Sequence, residues 1–409
     1  MVNIAVMGHG VVGSGVAEIL LSHADSISKK AKKQINIKHI LDLRDFDGLS
    51  YSDKFTKDFR KIADDDEVLV VAEVMGGINP AYDYVKECLL KGKSVVTSNK
   101  ELVAAKGAEL LKIAQDNNVN FLFEASVGGG IPVLRPMAQC MAANEMTEIF
   151  GILNGTTNFI LTKMVKENLS FETALKMAQD LGYAERNPDA DVLGYDACRK
   201  ICILASLGFG KHVYPEQVKA TGITEITLED VDYADKLGYV IKLIGHCAKL
   251  SSDKIAASVY PALVPRDNML SGVNDVYNAV VVKGDATDDV MFYGKGAGKL
   301  PTASAVVADI IDCVKHLQTR KYLFWEDGCK DYVEAQENVP TRLYVRLSKT
   351  DNSVVSQIKA LFGDETAILN NTVANEIVFI TAKQVEKELT NKIQKLQNCK
   401  VEAILHAID

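Results

Sequence analysis

The densest group of residues able to do chemistry runs from Gly182 to Lys200. Glu185, Asp189, Asp191 and Asp196 supply carboxylates there, and Lys200 supplies an ammonium. Pro188 and Gly194 make the segment a loop, and the apolar spacing beyond it begins a helix carrying Asp196 and Lys200. These two are four apart, so they share one helical face. Ile201-Cys202-Ile203-Leu204-Ala205 follows and gives Lys200 apolar surroundings. Desolvation lowers the proton affinity of such a lysine and neighbouring carboxylates raise it, the setting of a tunable acid–base group. The plain alternative is a solvated ion pair on a helix surface, worth about 0.3–0.5 kcal/mol.

A second constellation lies at the start of the chain. Gly8-His9-Gly10-Val11-Val12-Gly13 is a GxGxxG directly after an apolar, strand-like run. Gly8 permits the tight turn, Gly10 admits a pyrophosphate to the backbone, and Gly13 allows close packing of helix on strand. Val11 and Val12 begin the helix, whose unpaired N–H groups and positive end suit an anion. At the end of the next strand, Asp42 can bond the ribose hydroxyls of NAD, whereas Arg44 can hold the 2′-phosphate of NADP. The two point in opposite directions, and the choice stays open. Two further turns, Met75-Gly76-Gly77 and Ser98-Asn99-Lys100, follow strands at the edge where open α/β sheets bind ligands, which makes Gly76, Ser98 and Lys100 candidates. A dinucleotide site plus a polar acid–base loop implies hydride transfer between a nicotinamide and a small charged substrate.

These residues need a scaffold, and the first 125 residues read as one. Strand-like runs at 2–7, 35–41, 68–74, 94–97 and 120–124 alternate with helical patterns at 11–21, 80–91 and 101–117. That alternation predicts a doubly wound, Rossmann-type parallel sheet with helices on both faces. The middle of the chain is more helical, at 158–168, 171–181 and 196–207, and Thr227 with Asp230 forms a capping pattern opening the stretch 228–250. Strand character returns at 256–260 and 279–284, and the glycine-rich 294–298 precedes a helix at 303–316. From 339 onward the order is βαββαβ over some 70 residues, a ferredoxin-like unit.

The whole chain, 409 residues, suits two to three domains. With 46 basic and 54 acidic residues the net charge is −8, which disfavours binding nucleic acid through a general basic surface. At 47% hydrophobic and 24% charged the chain is globular rather than disordered. Eight cysteines with no CxxC point to a reducing compartment. No stretch approaches 18 uncharged apolar residues and the N-terminus lacks the marks of a signal peptide, so a cytoplasmic protein is expected, with no membrane and no nucleic acid among its partners. Asp64-Asp65-Asp66 reads as a solvated turn rather than a metal cluster, and Lys29-Lys30-Ala31-Lys32-Lys33 as a solvated surface.

The segment from Ala178 to Lys200, A-x3-G-Y-A-x2-N-P-x2-D-V-x-G-x-D-x3-K, resembles the signature of homoserine dehydrogenases. Gly151–Phe159, Glu124–Pro132 and Thr97–Lys100 are similar to other stretches of that family, in the same order, over residues 1–320. The resemblance implies reversible NAD(P)H-dependent reduction of L-aspartate 4-semialdehyde to L-homoserine, in the threonine, isoleucine and methionine pathway. It implies Lys200 as proton donor, Lys100 beside nicotinamide and substrate, and Glu185, Asp196, Asp191, Gly155, Thr156 and Tyr183 around the substrate. Gly182 and Gly298 join the cofactor residues. Glu124 with the carbonyls of Val127, Gly129 and Ile131 would form a monovalent cation site for Na⁺ or K⁺.

The implied organisation is an NAD(P)-binding domain at 1–130, rejoined by about 297–320, an α+β catalytic and dimerisation domain at 131–296, and an ACT-like domain at 339–409. A homodimer or homotetramer is expected. With no aspartokinase region before Met1, the resemblance is to the monofunctional bacterial type. The ACT-like domain departs from its pattern at Thr350-Asp351-Asn352-Ser353, where the family's first loop has Pro-Gly. Without that glycine, close backbone approach to an effector such as threonine is disfavoured. Two other functions compete: a reductase for another amino-acid-derived aldehyde, and a non-catalytic sensor. The presence of Glu185, Asp196 and Lys200 together weighs against both.

Overall fold

The computed structural model describes residues 1–408 apart from 322, 350, 352, 365 and 371–374, so Thr350 and Asn352 of the altered ACT-like loop lie outside the described residues. The chain divides into two compact units: 1–149 with 202–215 and 280–329, and 150–201 with 216–279 and 330–409.

In the first unit, β1 (Val2–Met7), β2 (Ile35–Leu41), β3 (Phe55–Thr56), β4 (Val68–Glu73), β5 (Ser94–Thr97) and β6 (Phe121–Leu122) form one sheet. All neighbours are parallel, in the order β3-β2-β1-β4-β5-β6. The order reverses between β1 and β4, the switch point at whose carboxyl ends open α/β sheets bind ligands. The strands are near-continuous runs of Val, Ile and Ala because helices cover both faces. The returning helix Lys299–Lys315 lies against the first helix, Val11–Ser22, so closely that a side chain on Gly15 would meet Ala303 at 2.9 Å. Ala303, Val306, Val307 and Ile310 enter the same core as Val6, Val16 and Leu20. Each such fully buried aliphatic side chain stabilises by roughly 1.5–3 kcal/mol. The strand expected at 120–124 is cut to Phe121–Leu122, because Glu124–Ser126 winds into a 3-10 turn.

In the second unit, the helices Gly155–Glu167, Phe171–Asp180 and Asp189–Val192 and the start of Tyr195–Phe209 carry the polar loop. The stretch 228–250 is not one helix. Thr227 caps Leu228–Lys236 with a full capping box, Gly238 at φ +84° ends that helix, and Tyr239–Lys249 is a strand paired antiparallel with Ile255–Pro265. The C-terminal segment has the order strand Pro340–Lys349, helix Ser353–Phe362, strands Ala367–Asn370 and Glu376–Ile380, helix Glu386–Ile393 and strand Cys399–Ala407. Its last strand pairs parallel with Ile255–Pro265 through Ala262↔His406 and Leu263↔Ala407. A buried cluster adds to that seam: Arg346 Nε donates to Asp230 Oδ1 (2.8 Å) and Nη1 to Glu376 Oε1 (3.1 Å).

Among the described residues no helix is long and apolar enough to cross a membrane, and no group of three or more His, Cys, Asp or Glu is placed to hold a metal ion. Asp64 and Asp65 pair instead with Lys91 and Lys38.

Candidate active site

The glycine turn of the first unit has the geometry of an anion site. Gly8 stands at φ +100°, a region that favours glycine. A side chain on Gly13 would lie 2.0 Å from the Gly8 carbonyl oxygen, so helix and strand approach as closely as backbones permit. At Gly10 a side chain would meet nothing within 4 Å: the space before the helix is open. The first turn holds no acidic residue and Gly10 offers no side-chain cap, so the N–H groups of Val11, Val12 and Gly13 face that space without intrahelical partners. These features fit a pyrophosphate.

Beside it, Asp42 accepts four N–H bonds. His9 N (2.8 Å) and Arg44 Nη2 (3.0 Å) reach Oδ2, and Arg44 N and Nε (3.0 Å each) reach Oδ1. An ionised carboxylate has about four such positions, so Asp42 is saturated, chiefly by Arg44. The Arg44 hydrogen bonds, strongest among these influences, hold the Asp42 carboxyl well below the usual carboxylate range. The His9 ring is enclosed by Phe46, Tyr51 and Phe55, and burial lowers its pKa.

Two residues without an assigned role shape the neighbouring turns. Glu73, fully buried at the end of β4, accepts Met75 N–H (2.8 Å) and the Thr97 hydroxyl (2.6 Å). Burial pushes its carboxyl pKa up. Asn99 donates to Gly77 O (2.5 Å), accepts from Leu102 N (3.1 Å) and so caps the helix Lys100–Asp116. Met75-Gly76-Gly77 and Ser98-Asn99-Lys100 are thereby locked into one array, with half-buried Lys100 as the first helical residue.

The glycine loop after β6 turns through Gly128 (φ +72°) and Gly129 (φ +54°). It packs on the Gly296–Gly298 turn: a side chain on Gly129 would lie 2.4 Å from the Gly296 carbonyl oxygen. The Glu124 carboxylate is taken up by the backbone. It accepts the N–H groups of Val133 (2.6 Å), Leu134 (2.9 Å) and Arg135 (2.8 Å), and Asp309 binds Glu124 N (2.8 Å) and Arg135 in turn. A hard cation here would rest on backbone carbonyls, those of Glu124, Val127, Gly129 and Ile131.

In the second unit the polar loop delivers Asp196 and Lys200 to a nearly dry pocket, at 6% and 8% exposure. Lys200 Nζ donates to Asp196 Oδ2 (2.7 Å) and to the Leu153 carbonyl (2.8 Å). Asn154 Nδ2 donates to Asp196 Oδ2 (2.8 Å) and to Asp191 Oδ1 (2.7 Å). Burial first, then the Asp196 charge, raises the Asp191 carboxyl above its ordinary value. Thr156 Oγ1 donates to the Tyr183 carbonyl (2.8 Å), and the Tyr183 ring stands edge-on to Phe159. Gly155 must be glycine, since a side chain would lie 2.8 Å from the Val276 carbonyl oxygen. Asp191, Asp196, Lys200, Gly155, Thr156 and Tyr183 therefore come together. Glu185 does not join them: it stays exposed on the same loop, beyond Gly182 at φ +75°. The solvated i, i+4 pair is ruled out by burial.

A parallel βαβ sheet with an open glycine turn, in a chain that also holds a buried Lys–Asp pair, defines a nicotinamide-dependent oxidoreductase. The family description "Homoserine dehydrogenase, NAD binding domain" matches residues 8–124 and "Homoserine dehydrogenase" matches 132–311. The chain belongs to the homoserine dehydrogenase family, and its function is that of the family, an oxidoreductase acting on a CH–OH group. A homoserine dehydrogenase of Bacillus subtilis is 37% identical, covering 98% of this chain and 96% of its own. The crystal structure of a homoserine dehydrogenase from Thiobacillus denitrificans superposes with a TM-score of 0.93 at 34% identity, over 100% of this chain and 98% of that one. A hyperthermophilic archaeal homoserine dehydrogenase mutant in complex with NADPH matches 76% of this chain and 97% of its own, with a TM-score of 0.66 at 28% identity.

Proposed function

We propose that the chain interconverts L-aspartate 4-semialdehyde and L-homoserine, with Lys200 as the acid–base group and NADP(H) as the favoured cofactor. The observation that carries this reading is the proton inventory of Lys200. Of its three N–H donors, one binds Asp196 and one the Leu153 carbonyl, which leaves one for the C4 oxygen of the substrate. In the reducing direction that proton passes from Nζ to the developing alkoxide, and in the oxidising direction Nζ takes it back. The bound nicotinamide supplies or accepts the hydride.

Burial excludes water from the Lys200–Asp196 pair and strengthens its field on the developing charge. Asp191 and Asp196 answer the substrate ammonium, and Glu185, on the same loop but apart from them, is the further carboxylate proposed for the substrate. Gly155 gives the substrate room, and Thr156 and Tyr183 form the wall. Val11, Val12 and Gly13 hold the pyrophosphate, Gly76, Ser98, Gly182 and Gly298 line the cofactor, and Lys100 positions the reacting end. Saturation of Asp42 supports the NADP(H) assignment: no acceptor position remains for ribose hydroxyls, while the exposed Arg44 guanidinium suits a 2′-phosphate. The carbonyls of Glu124, Val127, Gly129 and Ile131 are the donor set for a monovalent cation.

Initial rates on L-homoserine with NADP⁺ and NAD⁺ test the reading. Turnover with both, at higher kcat/KM for NADP⁺, is expected. Turnover with neither overturns it, and an NAD⁺ preference overturns the cofactor assignment alone.

A further inference from the structure

Asn154 stands immediately before the helix Gly155–Glu167, and all four hydrogen-bonding positions of its side-chain amide are filled. Its oxygen accepts Thr157 N (2.8 Å) and Thr157 Oγ1 (2.9 Å), the bonds of a helix N-cap. Its nitrogen donates to Asp191 Oδ1 and Asp196 Oδ2, residues 37 and 42 positions away. The amide therefore cannot flip without setting its oxygen against two carboxylates. The residue before it, Leu153, gives Lys200 its second acceptor. One dipeptide thus touches every member of the acid–base group, and at 5% exposure Asn154 does so away from water.

We propose that Asn154 is the positioning residue of this site: its amide bridges Asp191 and Asp196 and, through Asp196, aims the Lys200 ammonium. This rests on the reading of Lys200 as the acid–base group. A bare cap needs only an acceptor, and serine or aspartate would serve as well. Bridging two carboxylates from one atom requires two N–H donors, which among good capping residues asparagine alone provides.

That difference supplies the experiment. Asn154→Ser and Asn154→Asp both keep a capping oxygen and both remove the paired N–H donors, since serine's single O–H cannot bridge two carboxylates, and Asn154→Asp also adds charge. Both variants are to be compared with the parent in thermal unfolding, NADPH titration, and kcat and KM for homoserine over pH. Asp191 is faced by Asp196 and Lys200 from the helix Tyr195–Phe209, and by Asn154 and Thr156 from the start of Gly155–Glu167. Loss of the amide raises its pKa further, so the acid limb of kcat/KM moves to higher pH. For Asn154→Ser we expect a folded enzyme with a modestly lower Tm and unchanged NADPH affinity, and kcat lowered about 10²-fold, the order expected for misplaced reacting groups. Asn154→Asp should be slower still. If Asn154→Ser unfolds early, Asn154→Asp, isosteric with asparagine, carries the comparison. Parental kcat and pH profile in a folded variant would make Asn154 a helix cap only and overturn the proposal. If Lys200→Met also kept its activity, the reading of Lys200 would fail instead, which separates the two failures.

Discussion

Replacing Lys200 by methionine separates the chemistry of the buried pair from its structural role. Methionine fills nearly the same volume but leaves Asp196, at 6% exposure, without the ammonium that stands 2.7 Å away. Removing one partner of a buried pair costs about 3–5 kcal/mol, because the charge left behind stays desolvated. The continuing Asn154 bond does not offset this, since it is present before and after. Loss of a general acid lowers kcat by about 10²–10⁴-fold. Lys200→Met combined with Asp196→Asn removes both charges, so most of the stability returns while activity does not. Urea denaturation gives the stability term, single-turnover rates with excess homoserine give the chemistry, and NADPH titration shows whether the Gly8–Gly13 turn is intact. A Lys200→Met enzyme within tenfold of the parental kcat, or a double variant that regains activity with stability, would refute the reasoning.

Two other outcomes follow from particular contacts. Arg44→Ala removes the two side-chain bonds among the four to Asp42, leaving those from the His9 and Arg44 backbone N–H groups, and frees acceptor positions on that carboxylate for ribose hydroxyls. The kcat/KM ratio for NADP⁺ over NAD⁺ should fall below one, and an unchanged ratio would exclude Arg44 from the 2′-phosphate pocket. Lys242 is buried at 3% exposure, bonded only to neutral acceptors in Asn158, Val273 and Asn274, and burial lowers its pKa to about 8. The unfolded chain then holds the extra proton between about pH 8 and the ordinary value of 10.5, so stability attributable to Lys242 rises with pH across that window. The difference in urea stability between the parent and Lys242→Met should grow in the parent's favour over this range, and a flat difference would contradict the assignment.

The nucleotide half was largely legible because local rules govern it. Alternating Val and Ile runs set β1, β2 and β5 to the residue, and the spacing of Gly8, Gly10 and Gly13 carries its own steric logic. Asp196 and Lys200 were legible as neighbours for the same reason, four residues being one helical turn. What long-range contacts decide was not. Asn154 acts on residues 37 and 42 positions away, and only its place before Gly155-Thr156-Thr157 hinted at a cap. Nothing in the sequence marks Glu73, near the end of an apolar run, yet its burial organises two turns. Asp42 and Arg44 gave opposite readings in sequence because their mutual bonding, on which the proposed NADP(H) preference rests, appears only in three dimensions. At Tyr239–Lys249 the apolar run suited helix and strand equally, and the positive φ at Gly238 broke the tie.

The most direct measurement is a crystal structure of the ternary complex with L-homoserine and a nicotinamide cofactor. The account predicts the substrate C4 oxygen within about 2.6–3.2 Å of Lys200 Nζ, with the ammonium on Asp191 and Asp196. A C4 oxygen held by another side chain, with Lys200 still turned only to Asp196 and Leu153, would contradict it.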